Sequence, residues 1–319
     1  MVPEIETLRF RAMNTDVLLA AQGSSARLAA GLEKAQTLVS EGEARFSRFL
    51  EDSELAQLNR AAGTWFHVSP DMLAVLTLAL RYHHLTAGLF DPSILPDLRR
   101  AGYDRSMDLL RAQDVLPAPA SALRSLRPAF GEMRIDSARR QVFLPKDMAL
   151  DLGGIAKGWI VEQAALALAE YAESCAVDAG GDLFLAGAPY GTTRWPVALD
   201  DPRRPGETLL TLSVPPGGVA TSTTTKRAWR QNTPHGEVHR HHLIDPRSGE
   251  PSTGDWLSVT VISAHTHLSE VFAKALLIAG PLEAGQLRLN ETSLFSYLAV
   301  DREGKLAGAY QNTEISHVG

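Results

Sequence analysis

Asp151, Gly153, Gly154 and Lys157 fall in the run A-L-D-L-G-G-I-A-K-G-W (149–159), which sets a carboxylate, two residues without side chains and a cation close together. Ile155, Trp159, Ala164, Leu166 and Leu168 recur at roughly helical spacing, which predicts a helix from about Ile155 to Tyr171. Glycines ahead of it let the backbone come close to a bulky ligand. The N–H groups of a helix start, at the positive end of its dipole, suit an anion. Lys157, in the first turn, adds a full positive charge. Together these parts make a phosphate cradle, although the spacing matches neither G-x-x-x-x-G-K-[ST] nor G-x-G-x-x-G. A Gly-Gly pair before a helix is also commonly just a tight connection, and the residue types leave both readings open.

Four further clusters carry polar chemistry. V-D-A-G-G-D-L (177–183) sets Gly180 and Gly181 between two carboxylates inside a strand pattern, where glycine marks a bulge or a closely approaching ligand. A-T-S-T-T-T-K-R (220–227) offers Ser222 among other hydroxyls and two cations, and by itself reads as a solvated polar loop. H-R-H-H-L-I-D-P-R-S-G (239–249) puts His239 and His241 on one face of a strand, where they are conceivable metal ligands without a cysteine partner. Its D-P-R-S-G portion reads as a turn. In L-S-E-V-F-A-K-A-L-L (268–277), Glu270 and Lys274 are four apart and meet on one helical face. Taken alone they form a surface ion pair worth about 0.3–0.5 kcal/mol.

Positioning these groups requires a framework, and the hydrophobic pattern outlines one. Leu8 to Ala21 reads as a strand or hairpin centred on Met13-Asn14-Thr15. A helix from about Ala26 to Phe46 follows, with Leu28, Leu32, Ala35, Val39 and Phe46 on one face. Ser53 caps a short helix over E-L-A-Q-L-N, and Ser69-Pro70 starts a longer one that stops near Gly88. After G-L-F-D-P-S-I comes a less regular region containing L-P-A-P-A-S-A-L, and then a hairpin over Met133 to Leu144. Further strands are expected at Ala176–Leu185, Trp195–Leu199, Leu209–Val214 and Trp256–Ala264. A helix from Leu268 to Ile278 ends at Gly280, and Phe295–Val300 with Leu306–Tyr310 makes a closing hairpin. Strand runs broken by a few long helices imply an α+β fold, with mixed or antiparallel sheets packed by those helices. One domain over residues 1–319 is expected, with room for a loop insertion around 97–130.

Composition is that of an ordinary globular protein, 45% hydrophobic and 21% charged. A net charge of -6 argues against non-specific nucleic-acid binding. The single cysteine, Cys175, rules out an internal disulfide and lies in an apolar run that suggests a buried, inert thiol. No basic segment followed by an apolar one opens the chain, and no apolar run is long enough to span a membrane. The expectation is a cytoplasmic protein, though a chain trimmed of a leader would read the same.

Taken in order, M-N-T-D, F-S-R-F-L-E-D-S-E-L-A-Q-L-N, G-L-F-D-P-S-I, L-D-L-G-G-I-A-K-G-W, D-A-G-G-D-L, A-T-S, H-H-L-I-D-P-R-S-G-E-P and V-T-V-I-S-A make the chain resemble the ApbE family of FAD:protein FMN transferases, from about residue 8 to 312. The resemblance implies an α+β fold that binds FAD in a cleft, with a divalent cation, usually Mg2+, near the pyrophosphate. It also implies cleavage of FAD between its phosphates, transfer of FMN to a threonine or serine hydroxyl of an acceptor protein, and release of AMP. Some members instead hydrolyse FAD to FMN and AMP.

Carried onto this sequence, Met13 matches the methionine beside the flavin and Asp91 the aspartate of the cofactor cleft. Asp151, Gly153, Gly154 and Lys157 match the pyrophosphate block, and Ala156 the residue whose carbonyl faces the metal. Gly180 and Gly181 match the glycine pair, Ser222 the serine of A-T-S-G, and His242 a histidine for proton transfer or phosphate contact; Asp245 shapes the turn. The match departs at the metal-binding helix, where the family has Asp and then Thr or Ser as oxygen ligands and this chain has Glu270 and Lys274. Glutamate coordinates a hard cation, but an ammonium repels one. Either Lys274 stands in for the metal, neutralised at rest by Glu270, or transfer has been lost and flavin is only bound. Asn14 for Gly and Thr223 for the Gly of A-T-S-G are milder departures. The expected function is FMN transfer with a weakened or absent Mg2+ requirement, with His242, Lys274 and Glu270 as catalytic groups. The alternatives are a non-catalytic FAD- or FMN-binding protein and an FAD pyrophosphatase.

Overall fold

Eight strands build one antiparallel sheet whose spatial order follows their order in the chain. They are β1 (Glu4–Ala12), β2 (Thr15–Gly23), β3 (Ser174–Ala179), β4 (Asp182–Ala186), β5 (Gly217–Thr223), β6 (Trp256–Ser263), β7 (Phe295–Asp301) and β8 (Leu306–Ala309). This computed structural model describes residues 4–117, 127–233, 236–291, 295–309 and 314–317. Alternation along each strand sorts side chains to the two faces. Phe184, Val261, Tyr297 and Ala299 join the larger core, whereas Leu185, Val219, Ile262 and Leu298 join a smaller one. The smaller core is closed by a second sheet of Trp195–Asp200, Thr208–Val214 and Glu314–His317, through Val197, Leu210 and Leu212. The expected α+β class, with antiparallel sheets packed by long helices, is what the chain adopts.

Seven helices are described: α1 (Ser25–Phe46), α2 (Glu54–Arg60), α3 (Pro70–Leu85), α4 (Leu95–Arg100), α5 (Met107–Arg111), α6 (Ala156–Ala169) and α7 (Thr266–Glu291). α1, α6 and α7 pack on the large-core face of the sheet and against one another in the order α1, α6, α7. α1 buries Leu28, Leu32, Ala35, Val39 and Phe46, the stripe its spacing predicts. Ser53 and Ser69 cap α2 and α3, each accepting a backbone N–H from three residues on. Among the described residues no helix is long and apolar enough to cross a membrane.

Several expectations need correction. Ala176–Leu185 is two strands, because Gly180 and Gly181, at φ 65° and 96°, form the turn of the β3–β4 hairpin; a glycine pair meets the demand of a two-residue turn for left-handed backbone at both positions. The 220–227 stretch is not all solvated loop: Ala220–Thr223 lies in β5, paired along its length with β6 and at Ala220 with β4, and Ser222 is buried. The histidine-rich segment pairs as a hairpin of Ala228–Thr233 with Gly236–His241, and the sequence reading had missed the first of these strands. The helix of Glu270 does break at Gly280, at φ 68°, but Pro281 starts a further helical run to Glu291. α4, α5 and a 3-10 turn at Phe130–Glu132 occupy the less regular region, while 118–123 of L-P-A-P-A-S-A-L lies outside the described residues. The hairpin at Met133–Leu144 forms as expected and gains a third strand, Trp65–His67. The closing hairpin also forms, as β7–β8, with Tyr310 outside the described residues.

Cys175 is fully buried in β3, where its thiol donates to the Ala165 carbonyl at 3.5 Å. Burial pushes its pKa up to about 12, the inert state its apolar neighbours suggest.

Candidate active site

The β1–β2 turn, the end of α1, the 89–92 loop, the start of α6, the 242–246 segment and α7 enclose a cleft. Its empty space, open mouth included, is about 1140 Å³, within reach of a large organic ligand. Apolar and aromatic side chains, Phe46, Phe90, Ile160 and Ile244 among them, share its walls with Lys157, Lys274, Arg48, Arg227 and His242. Such a lining suits a ligand with one flat apolar end and one anionic end.

Asp151 fixes the turn that opens α6. One carboxylate oxygen accepts the Gly153 N–H at 2.6 Å, and the other pairs with Arg48 Nε at 2.5 Å. The Asp151 N–H donates to the Pro92 carbonyl at 2.8 Å, which ties the turn to the 89–92 loop. A Cβ on Gly154 would lie 3.0 Å from Phe90 Cε2 and 3.5 Å from Lys274 Cδ. The backbone therefore passes directly beneath the lysine stem. Lys157 Nζ donates to the Ala179 carbonyl at 2.8 Å and forms an ion pair with Asp182 at 2.5 Å.

Glu270 and Lys274 are not a surface pair. Glu270 is fully buried, its Oε2 accepts the Gly158 N–H at 2.8 Å, and its Oε1 meets Lys274 Nζ at 3.0 Å. The surface reading fails because the carboxylate lies in the seam between α6 and α7. There a Cβ on Gly158 would come within 2.8 Å of the Thr266 carbonyl oxygen and 3.0 Å of Glu270 Oε2. Burial raises the Glu270 pKa, and the Lys274 charge opposes that rise. Both lysines line the cleft, while their partners Asp182 and Glu270 are buried and do not. The lysines thus form part of the wall, with the carboxylates behind them. A divalent cation does not fit this donor set, since Glu270 is fully buried and the Lys274 ammonium beside its carboxylate would repel a metal.

His242 is half-buried, and its Nδ1, which is buried, has no hydrogen-bond partner among the described residues. Desolvation, reinforced by the charges of Arg227 and Lys274, lowers its pKa well below the usual histidine value, so the ring is neutral. Met13 lines the cleft from a two-residue turn in which it and Asn14 hold φ of 52° and 57°. Asp91 also lines the cleft, capping Pro92–Ile94 through the Ser93 N–H at 2.8 Å and accepting Arg127 Nη1 at 2.9 Å.

The cleft therefore brings together Met13, Asp91, Asp151, Gly153, Gly154, Ala156, Lys157, His242 and Lys274. Gly180, Gly181 and Ser222 lie outside its lining; the glycine turn reaches it only through Ala179 and Lys157. His241 has both ring nitrogens engaged, with the Ser252 carbonyl and the Leu243 N–H. The metal-ligand-like grouping of the described residues is instead Glu162 of α6 with His265 and His267 at the start of α7, where Glu162 accepts the Thr266 N–H at 2.9 Å and His265 Nδ1 lies 2.8 Å from it. Arg48 and Arg227 were missed by the sequence reading. For Arg48 a signal existed in F-S-R-F: its guanidinium lies 4.1 Å from the Phe49 ring centre and 4.6 Å from that of Tyr103. Arg227 is brought to His242 only by tertiary folding, its carbonyl accepting the His242 N–H at 3.2 Å.

A model of the ApbE family matches residues 13–294. The FAD:protein FMN transferase of Treponema pallidum (strain Nichols) is 30% identical over 276 residues, covering 80% of this chain and 73% of that protein. Among solved structures, the ApbE protein of Thermotoga maritima superposes with a TM-score of 0.81 at 22% identity, covering 96% of this chain and 97% of the other. The flavin transferase ApbE from Vibrio cholerae gives a TM-score of 0.75 at 21% identity, with the same two coverages of 96% and 97%. At those identities the two structures speak for the fold.

Proposed function

The chain belongs to the ApbE family, and from that membership we infer its activity: it is an FAD:protein FMN transferase, which splits FAD at the pyrophosphate and moves FMN to an acceptor protein. We also assign the site residues and a threonine or serine hydroxyl as the accepting group. The observation that carries them is the convergence of Lys157, Lys274, the Gly153–Gly154 turn and a neutral His242 on one cleft with aromatic walls.

In this reading the flavin lies among the apolar walls near Met13, and the pyrophosphate lies against Lys157, Lys274 and the start of α6. The acceptor hydroxyl attacks the FMN-side phosphorus. A new P–O bond forms as the bond to the bridging oxygen breaks, and AMP departs with that oxygen. The hydroxyl proton passes to the neutral ring of His242, which lines the cleft. Phosphoryl transfer asks mainly for alignment and for neutralisation of charge on the phosphate oxygens, and a helix start with two lysines supplies both. Asp151 and Arg48 hold the turn that presents this backbone.

The test incubates the protein with FAD and a panel of threonine- and serine-containing acceptor peptides. AMP is followed by chromatography and covalent flavin by fluorescence and mass. Stoichiometric AMP and peptide-bound FMN are expected. AMP with free FMN would mean that water replaces the hydroxyl, the pyrophosphatase outcome. A protein that holds FAD intact under every condition would overturn turnover.

A further inference from the structure

We propose that Lys274 is a tethered substitute for a divalent cation at the FAD pyrophosphate, with Glu270 as its resting counter-ion, so that FAD is bound and cleaved without Mg2+. The proposal rests on the cleft being the FAD site.

Three observations carry it. The first is position: Lys274 lines the cleft, whereas Glu270, 3.0 Å from its ammonium, is fully buried and does not. A pair formed only to stabilise α7 would have no reason to place its lysine on the wall of an open space. The second is occupancy. Glu270 accepts the Gly158 N–H at 2.8 Å with one oxygen and Lys274 with the other, and as a fully buried residue outside the lining it presents neither to the cleft. The third is the supply of positive charge. Lys157, Lys274 and Arg227 all line the cleft, so the two negative charges of a pyrophosphate diester meet fixed cations on its walls. The stem of Lys274 already runs past Gly154, with Cδ 3.5 Å from where a Cβ would stand. Its ammonium can therefore turn from Glu270 toward phosphate held over that turn while the carboxylate keeps its bond to Gly158. A buried ion pair adds little net stability, so folding alone does not account for this one.

The experiment compares FAD and riboflavin affinity, by quenching of flavin fluorescence, together with AMP release, in EDTA and in excess Mg2+. Mn2+ binding is read by electron paramagnetic resonance with and without FAD. The proposal expects FAD affinity and AMP release equal within about twofold in the two conditions, and no Mn2+ site whose occupancy depends on FAD. Lys274→Met would leave Glu270 buried and uncompensated, so the double variant Glu270→Gln/Lys274→Met, which removes both charges and retains an acceptor for Gly158, serves beside it. Loss of one charged hydrogen bond should weaken FAD by about tenfold to a hundredfold and leave riboflavin unchanged. Lys274→Arg should retain most of the FAD affinity. An Mn2+ site that appears or tightens with FAD, or collapse of AMP release in EDTA, overturns the tethered cation and leaves the transferase standing. Equal loss of FAD and riboflavin in the double variant also overturns it, since that marks a merely structural role. Absence of AMP in both conditions would sink the transferase reading, and the two affinities would then decide the lysine's role alone.

Discussion

At the scale of single residues, the site works by withholding solvent from charges. His242 is the clearest case. Its pKa is lowered by burial first and then by Arg227 and Lys274, so the ring stays neutral well below the pH at which an exposed histidine takes a proton. The acid limb of kcat/KM for AMP release should therefore lie below pH ~6.5, the unperturbed histidine value. Arg227→Met should move it upward by removing a repelling charge; a pH–rate profile of both proteins checks this. Glu270→Ala should cost about 3–5 kcal/mol in urea unfolding, because it leaves a cation and a buried N–H unpaired, whereas Glu270→Gln, which still accepts from Gly158, should cost less. Much of this was legible in the sequence. D-L-G-G-I-A-K-G and H-L-I-D-P-R-S-G supplied Asp151, Lys157 and His242, and the spacing of Glu270 and Lys274 supplied their pairing. What spacing could not supply was burial: an i,i+4 pair looks the same on a wet face and in a seam between helices. Arg227 escaped for a related reason, since only folding brings it to His242.

At the scale of elements, the contact between α6 and α7 sets the geometry of both lysines. Gly158 has no room for a methyl group against the Thr266 carbonyl. Gly158→Ala should therefore destabilise the protein by about 1–3 kcal/mol and lower FAD affinity by shifting Glu270; chemical denaturation and flavin quenching report the two effects. The start of α7 is also sensitive to acid. His267 is buried, hydrogen-bonded to Tyr82, and its pKa is lowered to about 4, first by burial and then by His265 and Arg81. A depressed folded-state pKa means the unfolded chain binds more protons, so stability present above about pH 6.5 falls as pH drops toward 4. Glu162, whose pKa burial raises, acts in the opposite sense and offsets part of the loss. His267→Asn should flatten the stability–pH slope between those limits, measured by urea midpoints across the range. Among the elements, helices with serine caps were readable because each cap has a local mechanism. Strand β5 was not, because its threonines and serine look polar until neighbours on both sides take up its hydrogen bonds.

At the scale of the whole molecule, the central sheet runs in simple chain order, and long excursions between its strands carry most of the site. α1, the 89–92 loop and α6 all lie between β2 and β3. FAD bridging these segments to the 242–246 segment and α7 should act as a clamp. At about 100 times its Kd it should add about 2.7 kcal/mol to global stability, seen as a raised Tm that riboflavin, lacking the phosphates, matches only in part. The α+β class was readable from strand runs broken by long helices, but the pairing order was not, since strands distant in sequence become neighbours only through tertiary packing. The sole cysteine gives access to this coupling. Cys175 sits in β3 with no exposed surface and a thiol held at about 12, so an alkylating reagent can label it only when the sheet itself comes apart. The protein thus carries its own stopwatch for opening. With rapid reclosing, the labelling rate follows the population of the opened form, and the slowing produced by a nucleotide reports how firmly the two ends of the chain are stapled together.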